Sequence, residues 1–358
     1  MGILSRMGLL CLFVSGACRC AWADDPRSAE APAVAVKVIL DGLDNPTDVA
    51  ISPGGDVFVA ESAAGRVLRV VGSKSEPVVA GFPVEPRGEG AQQERVGPLS
   101  LAFIDEQTLL VGGGGSPIGE ETVRVYTIPP IGTEISAEDS TGRFGPWVAG
   151  ATAKEGEGDF VALAAVPDKA KATWSIFVVC QGDGSRGWVG RTRWTGQQLP
   201  GSIEPFVATK VATGVGMPTA ITLGPVSPRD YLVVSQMGEA DDKPDSVIGF
   251  YDLQSKQLLL SIETGLRDMT GIAYSTRTPQ LYAIDRSFED PAQGGLFRLD
   301  QGFADGSQKI DPVLITRLDK PTSLAFAPNG ALFVTVQGSS TDGDSKKSGK
   351  LLKIESGL

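Results

Sequence analysis

Polar side chains recur at intervals of roughly fifty to sixty residues along this 358-residue chain, each just after a short apolar run. They are Ser62, Gln181, Gln236, Arg286 and Gln337, with Glu61 and Asp285 one residue before two of these positions. Amides donate and accept hydrogen bonds, and a guanidinium donates several, so such a set suits a polyhydroxylated ligand or an extended peptide. The alternative is that these groups hold the loops that follow the apolar runs, and the sequence leaves both interpretations open.

The chain contains no histidine. Histidine is the usual general base near neutral pH, so Ser-His-Asp and Cys-His sites are excluded, as are histidine-rich catalytic zinc sites. Any catalysis would need carboxylates, lysine, tyrosine or a metal bound by oxygen ligands. We therefore predict no catalytic residue.

Two acidic stretches, residues 239–245 and 342–344, raise the question of a metal site. Oxygen-rich loops can bind calcium, but neither stretch has the ordered spacing of a defined calcium loop. Solvated loop charge is the better interpretation. We expect no cofactor, and a divalent cation such as calcium stays possible.

A repeat organises these positions. Residues 43–60 reappear as residues 318–335, and four weaker copies lie between them, which makes six units. The equivalent small residues of the six units are Ala50, Ala102, Ala164, Thr222, Ala273 and Ala325. Each unit holds four short β-type runs, termed a to d, bounded by Gly, Pro, Asn and Asp. The pattern predicts an all-β, six-bladed β-propeller over residues 34–358.

The sixth unit ends after its strand c, and an extra β-type run at residues 36–40 precedes the first unit. We predict that this N-terminal strand completes the C-terminal blade and closes the ring, which hides the sheet edges.

The connections from b to c and from d to a emerge on one face of such a ring, and most long loops are of these two kinds. We name this side the long-loop face. Binding residues commonly lie on long loops over a rigid scaffold. Asp48 joins the candidates because the equivalent residue of strand a is small in the other five blades. The predicted ligand-binding residues are Asp48, Glu61, Ser62, Gln181, Gln236, Asp285, Arg286 and Gln337.

The first 23 residues resemble an export signal, since Arg6 precedes the apolar residues 9–14 and Ala21-Trp22-Ala23 fits signal peptidase cleavage. Residues 24–33 are then a flexible linker, and the protein is periplasmic or secreted. Lipid anchoring at Cys18 is the weaker alternative. No later stretch reaches the roughly 20 apolar residues of a transmembrane helix.

The chain carries 32 basic and 43 acidic residues, a net charge of −11. This excess of negative charge argues against nucleic acid as a partner. The expected partner is a small polar ligand or a protein, and the oligomeric state is open. Cys180 ends an apolar run, so we predict a buried thiol.

The pattern Pro-Thr-x-Val/Leu-Ala, a Pro-Gly/Asn-Gly turn and Val/Leu-Phe-Val resembles the NHL repeat, which implies a six-bladed propeller used mostly for binding. Enzymes of related folds, among them quinoprotein sugar dehydrogenases, use histidines that this chain lacks. The gluconolactonase/regucalcin-like propellers are distantly similar, and that resemblance implies a divalent cation held by Glu, Asn and Asp. This chain has Asp44, Thr270 and Thr322 at those positions. We predict a binding module, with a metal-dependent sugar-lactone hydrolase as the alternative.

Overall fold

The computed structural model describes residues 34–88, 93–117, 119–147, 158–168, 173–181, 187–195, 202–224, 231–239, 243–304, 306–339, 347–355 and 357–358. These residues form six sheets arranged as the blades of a β-propeller, each with four antiparallel strands, as predicted. The predicted signal, the linker and Cys18 lie outside this range. No helix in the described part has the length and apolar character needed to cross a membrane.

In the first five blades the strands follow one another from the centre of the ring outward, and in the sixth blade the outermost strand is the N-terminal strand. The chain starts with β1 (Val36–Leu43), followed by the first blade, β2 (Pro46–Ile51), β3 (Val57–Glu61), β4 (Arg66–Val71) and β5 (Lys74–Ala80). A separate hairpin of β6 (Glu85–Arg87) and β7 (Glu94–Val96) precedes the second blade, β8 (Pro98–Phe103), β9 (Thr108–Gly113), β10 (Val123–Thr127) and, after the short β11 (Ile135–Ser136), β12 (Gly142–Phe144).

The remaining blades are more regular. The third is β13 (Phe160–Asp168), β14 (Thr173–Cys180), β15 (Trp188–Trp194) and β16 (Glu204–Ala208), followed by the helix α1 (Thr209–Thr213). The fourth is β17 (Pro218–Leu223), β18 (Tyr231–Gln236), β19 (Val247–Asp252) and β20 (Leu258–Glu263). The fifth is β21 (Met269–Tyr274), β22 (Leu281–Asp285), β23 (Gly295–Ala304) and β24 (Ser307–Arg317), and the sixth starts with β25 (Pro321–Phe326), β26 (Leu332–Val336) and β27 (Gly349–Ile354).

The N-terminal strand β1 closes the ring. It pairs antiparallel with β27, so that Val36 lies opposite Ile354 and Asp41 opposite Lys350. Its buried residues Leu40 and Leu43 share a hydrophobic cluster with residues of the first and sixth blades. The prediction that this segment completes the C-terminal blade is confirmed.

Hydroxyl groups link neighbouring blades near the axis. The pairing of each innermost strand is irregular just after its first residue. In four blades the residue at that irregularity is a threonine whose hydroxyl donates to the first carbonyl of the next innermost strand: Thr47 to Pro98 (3.1 Å), Thr219 to Met269 (2.7 Å), Thr270 to Pro321 (3.1 Å) and Thr322 to Pro46 (2.9 Å). Ser100 does the same for Phe160 at 2.6 Å. The third blade has Val161 at this position.

One strand differs from the prediction. The sequence pattern places strand d of the second blade at residues 145–149. The fourth strand of this blade is instead β12, which begins three residues earlier, at Gly142, and pairs with β10. Gly145 has a φ of +99° and Pro146 has no N–H, so the ladder cannot continue through them. The long connection before β12 contributes β11, which pairs parallel to β5 and adds a fifth strand to the first blade.

Apolar side chains fill the space between adjacent blades. Leu110 of the second blade and Val178 of the third belong to one buried cluster. Cys180 lies in the same cluster and is fully buried, as predicted. The blades are therefore rigid supports for the loops at their ends.

Candidate functional site

The strand pairing defines which residues of the long-loop face are equivalent. Glu61, Gln236 and Asp285 each end a strand b and lie opposite the first residue of a strand a. The sequence alignment of the repeats had matched Gln236 with Arg286 and Gln337, which is wrong by one residue. Strand pairing makes Gln236 equivalent to Asp285 and Val336, so Met237 takes the position equivalent to Arg286 and Gln337.

The carboxylates at the ends of β3 and β22 hold neighbouring loops. Glu61 is 2% exposed and accepts a hydrogen bond from the Asp44 N–H at 2.7 Å. Its second oxygen lies 2.5 Å from the Nε of Arg66. Asp285 is fully buried and accepts from the N–H groups of Arg267 and Asp268, both at 3.0 Å. For Glu61 and Asp285 the structural role suggested by the sequence is therefore the one observed.

Gln236 and Ser62 also hold neighbouring loops. The buried Gln236 donates to the Thr213 hydroxyl at 2.8 Å and to the carbonyl of Val215, in the loop between the third and fourth blades. The buried Ser62 hydroxyl accepts from the Gly97 N–H at 2.8 Å. Gln181 directly follows β14 and is half-buried, and residues 182–186 after it lie outside the described range.

Asp48 lies apart from this face, in the channel along the propeller axis. The cavity there has a volume of about 260 Å³ and is lined by the innermost strands of all six blades. The Asp48 carboxylate accepts from the Val49 N–H (2.8 Å), the Leu101 N–H (2.6 Å) and the Ser323 hydroxyl (2.5 Å). Burial raises the pKa of this carboxyl to about 7, and these hydrogen bonds oppose that rise. Asp48 connects the sixth, first and second blades.

Two of the predicted residues, Arg286 and Gln337, meet on the long-loop face. The Arg286 guanidinium donates to the side-chain oxygen of Gln337, whose amide nitrogen donates to the side-chain oxygen of Asn45. The Arg286 guanidinium also lies 4.5 Å from the centre of the Phe288 ring. We name Asn45, Glu94, Arg286, Phe288 and Gln337 the Arg286 cluster.

The loop beside Arg286 is fixed from below. The N–H of Ser287 donates to Asp285 at 3.0 Å, and the N–H of Phe288 donates to Asp268 at 2.7 Å. Ser287 has a φ of +51°, a conformation that residues other than glycine seldom adopt. The two buried carboxylates therefore hold a turn that places the Phe288 ring against the guanidinium, with the ring still 42% exposed.

The hairpin of β6 and β7 reaches across the long-loop face, and the sequence did not predict it. Near β6, Arg87 donates to the Ser116 carbonyl at 2.7 Å and lies 3.3 Å from a Glu121 oxygen of the second blade. At β7, the Arg95 carbonyl accepts from Asn45 at 3.2 Å. The hairpin thus extends from the second blade to the Arg286 cluster. The only sequence signal was the length of the loop between strands d and a.

Two carboxylates act on the Arg286 guanidinium. Burial lowers the pKa of Arg286, and the carboxylates of Glu94 and Asp268 partly oppose this. An arginine stays protonated even so, because its ordinary pKa lies far above neutral. The side chain is 14% exposed. The cluster thus offers a guanidinium, an amide and an aromatic ring at the surface, which suits binding rather than proton transfer.

The positions that a gluconolactonase-like metal site implies have other contacts. The Asp44 N–H is bound to Glu61, and the hydroxyls of Thr270 and Thr322 donate to carbonyls of the next blade. No three acidic, cysteine or histidine side chains converge as metal ligands within the described ranges. Asp245 accepts from the Glu239 N–H at 3.1 Å, and residues 342–344 lie outside those ranges.

Several solved propellers share the fold. A putative oxidoreductase (glucose dehydrogenase) from Thermus thermophilus is 17% identical, with a TM-score of 0.56 over 90% of this chain and 100% of that chain. The PQQ-bound aldose sugar dehydrogenase from Streptomyces coelicolor is 16% identical, with a TM-score of 0.55 over 91% and 100%. A luciferin-regenerating enzyme is 11% identical, with a TM-score of 0.53 over 91% and 96%. No family model and no curated protein matches the chain.

Identities this low show the fold alone. The chain has no histidine for the base that resemblance to quinoprotein dehydrogenases implies, so its residues do not fit quinone-dependent sugar oxidation. The NHL and gluconolactonase resemblances remain predictions.

Proposed function

We propose that this protein is an exported binding module that takes up a small polar ligand at the Arg286 cluster on its long-loop face. The observation that carries the proposal is a guanidinium only 14% exposed, held against an exposed Phe288 ring by a fixed turn. A charged side chain that is already ordered at the surface favours binding, because less conformational entropy is lost when the ligand binds.

The proposal narrows the predicted set of ligand residues. Glu61, Ser62, Gln236 and Asp285 are buried and occupied by contacts that hold loops of the long-loop face. Asp48 lies in the axial channel and is bonded on both carboxylate oxygens. Arg286 and Gln337 are the predicted residues that remain for a ligand. Asn45 and Phe288 join them, and Gln181 stays a prediction.

The test compares two arginines on opposite faces. Arg286→Gln removes the proposed binding charge, whereas Arg277→Gln removes an exposed arginine at an a-to-b turn, where Arg277 donates to the Asn329 carbonyl at 3.2 Å. A glycan array and a small-molecule panel monitored by thermal shift should give hits for the native protein that weaken about tenfold or more in R286Q, as loss of a charge-assisted bond predicts. The R277Q variant should bind normally.

Phe288→Ala is a second variant of the site that should not affect folding, because the exposed Phe288 ring is not part of the core. It should weaken the same hits while leaving the urea midpoint close to that of the native protein. Binding that survives both R286Q and F288A would place the ligand elsewhere and reject the Arg286 cluster.

Export has its own test. The sequence predicts cleavage after Ala23, so the intact mass of protein recovered from a secretion-competent host should correspond to a chain that starts at Asp24. Cys18→Ser should leave this product unchanged. A lipid-modified chain that starts at Cys18 would instead support membrane anchoring.

The lactone hydrolase alternative rests on similarity of fold, and the contacts of Thr270 and Thr322 give it no support.

A further inference from the structure

The Glu94 carboxylate lies between two donors from different blades. One of its oxygens is 3.4 Å from the Arg286 Nη2, and the other is 3.3 Å from the Gln337 Nε2. Arg286 follows β22 of the fifth blade, and Gln337 follows β26 of the sixth. A single carboxylate thus spans the junction between these blades with both oxygens.

The orientation of the Gln337 amide is set by its neighbours. Arg286 carries only donors, so the Gln337 oxygen must face the guanidinium. The amide nitrogen is then left to point toward Asn45 and Glu94. The two blades therefore present donors side by side and no acceptor toward Glu94. This arrangement selects an anion with two adjacent oxygens, as a carboxylate has.

The contact with Glu94 is itself weak. Both distances are long for charge-assisted hydrogen bonds, and the Glu94 side chain is 46% exposed. Ion pairs as exposed as this contribute at most about 1 kcal/mol. A ligand whose apolar part packs against the exposed Phe288 ring gains an apolar contact in addition to those of its carboxylate. Such a ligand can therefore compete with Glu94 for the two donors.

We propose that Arg286 and Gln337 form a binding site for the carboxylate group of a small organic acid, and that Glu94 fills this site in the free protein. The proposal rests on the function proposed above and names its ligand class. Phe288 favours an acid with an aromatic or apolar part next to the carboxylate. Binding releases β7 from the fifth and sixth blades, while Arg87 keeps β6 attached to the second.

Matched pairs of probes test the carboxylate. Benzoate and benzamide, and glucuronate and glucose, are titrated calorimetrically into the native protein, Glu94→Gln, Arg286→Gln and Arg277→Gln. We expect at least one acid to bind more tightly than its neutral partner. Glu94→Gln should tighten that binding about two- to tenfold, because it weakens the competitor. Arg286→Gln should weaken it about tenfold or more, and Arg277→Gln should leave it unchanged.

Amide hydrogen exchange gives a second readout that does not depend on affinity. In Glu94→Gln, the amides of residues 94–96 should exchange several-fold faster than in the native protein, and saturating benzoate or glucuronate should produce the same change in the native protein. An unchanged rate in both cases would overturn the competition by Glu94.

The outcomes separate the two proposals. Neutral probes that bind as well as the acids and depend on Arg286 would leave the binding module standing and overturn the carboxylate site. Failure of both acids to bind Glu94→Gln at about 50 mM, far above the dissociation constant of even a weak site, would also overturn it. If the native protein bound acidic peptides but not the small acids, the partner would be a protein and the small-acid ligand would be rejected. If the native protein gave no hits on the glycan array or in the small-molecule panel, the binding module itself would be rejected.

Discussion

At the scale of single residues, spacing located polar positions but did not reveal their roles. Glu61 and Asp285 were found because they end apolar runs, and both turned out to hold loops. Their partners lie 17 and 18 residues away along the chain, at the entries of β2 and β21. Glu94 was missed, because its contact with Arg286 spans 192 residues. Such contacts depend on how the ring closes, which local sequence does not encode.

Asp48 should make stability depend on pH. Its pKa is about 7 in the folded state against 3.8 as the ordinary value, so the folded state holds the proton more tightly. The stabilisation from this group is therefore fully present below about pH 4 and is lost as pH rises through about 7. Ser323 can reverse its hydroxyl to accept the proton of neutral Asp48, which makes the protonated form tolerable.

The measurement compares the native protein with Asp48→Asn by urea unfolding. From about pH 5 to about pH 8 the variant should gain about 1–2 kcal/mol relative to the native protein, a value reduced because the carboxyl borders the channel. Asp56→Asn, a change of the same kind at an exposed position between β2 and β3, is the control. A constant difference between D48N and the native protein would mean that Asp48 does not titrate in this range.

At the scale of elements, most strands followed from the repeat because each blade buries the same apolar positions. The exceptions were elements that pair outside the repeat. Strand β11 pairs with a neighbouring blade, and the hairpin of β6 and β7 lies in a connection whose pattern has no apolar alternation. Arg69 is part of the first exception, since it donates to the Pro129 carbonyl at 2.7 Å and holds the connection that contains β11.

The threonine hydroxyls between blades predict that one substitution lowers the free energy of unfolding and another raises it. Thr270→Val keeps the shape of the side chain but leaves the Pro321 carbonyl without this donor, so the free energy of unfolding should fall by about 1 kcal/mol. The third blade has Val161 at the equivalent position, so Val161→Thr should supply a donor for the Pro218 carbonyl and raise stability by about 0.5–1 kcal/mol.

Urea titration at constant pH measures both changes. Thr276→Val is a useful comparison, because Thr276 also donates to the next blade, at the Ala327 carbonyl, but from a turn at the opposite face. If V161T destabilises the protein, the hydroxyl links are not interchangeable between blades, and the missing link in the third blade reflects a different local geometry.

At the scale of the whole molecule, stability depends on a junction between the two ends of the chain. Strand β1 pairs with β27, while the Thr322 hydroxyl and the Ser323 hydroxyl bond to Pro46 and Asp48 of the first blade. The sequence predicted this closure because the last unit lacked one strand and an extra strand preceded the first. A ring without it would expose the edge of β27 to pairing with another chain.

Removal of β1 should therefore open the ring. A chain that starts at Asp44 loses Leu40 and Leu43, and burial lost at two core leucines costs about 4–10 kcal/mol, which is comparable to the whole stability of about 5–15 kcal/mol of an ordinary domain. We expect urea unfolding without a single cooperative transition, together with oligomers in size-exclusion chromatography. A chain that starts at Val34 should unfold cooperatively as a matched control. Addition of a peptide covering residues 34–43 should restore the cooperative transition, since the open edge of β27 is then paired again. A cooperative monomer without β1 and without the peptide would show that the sixth blade is stable with three strands.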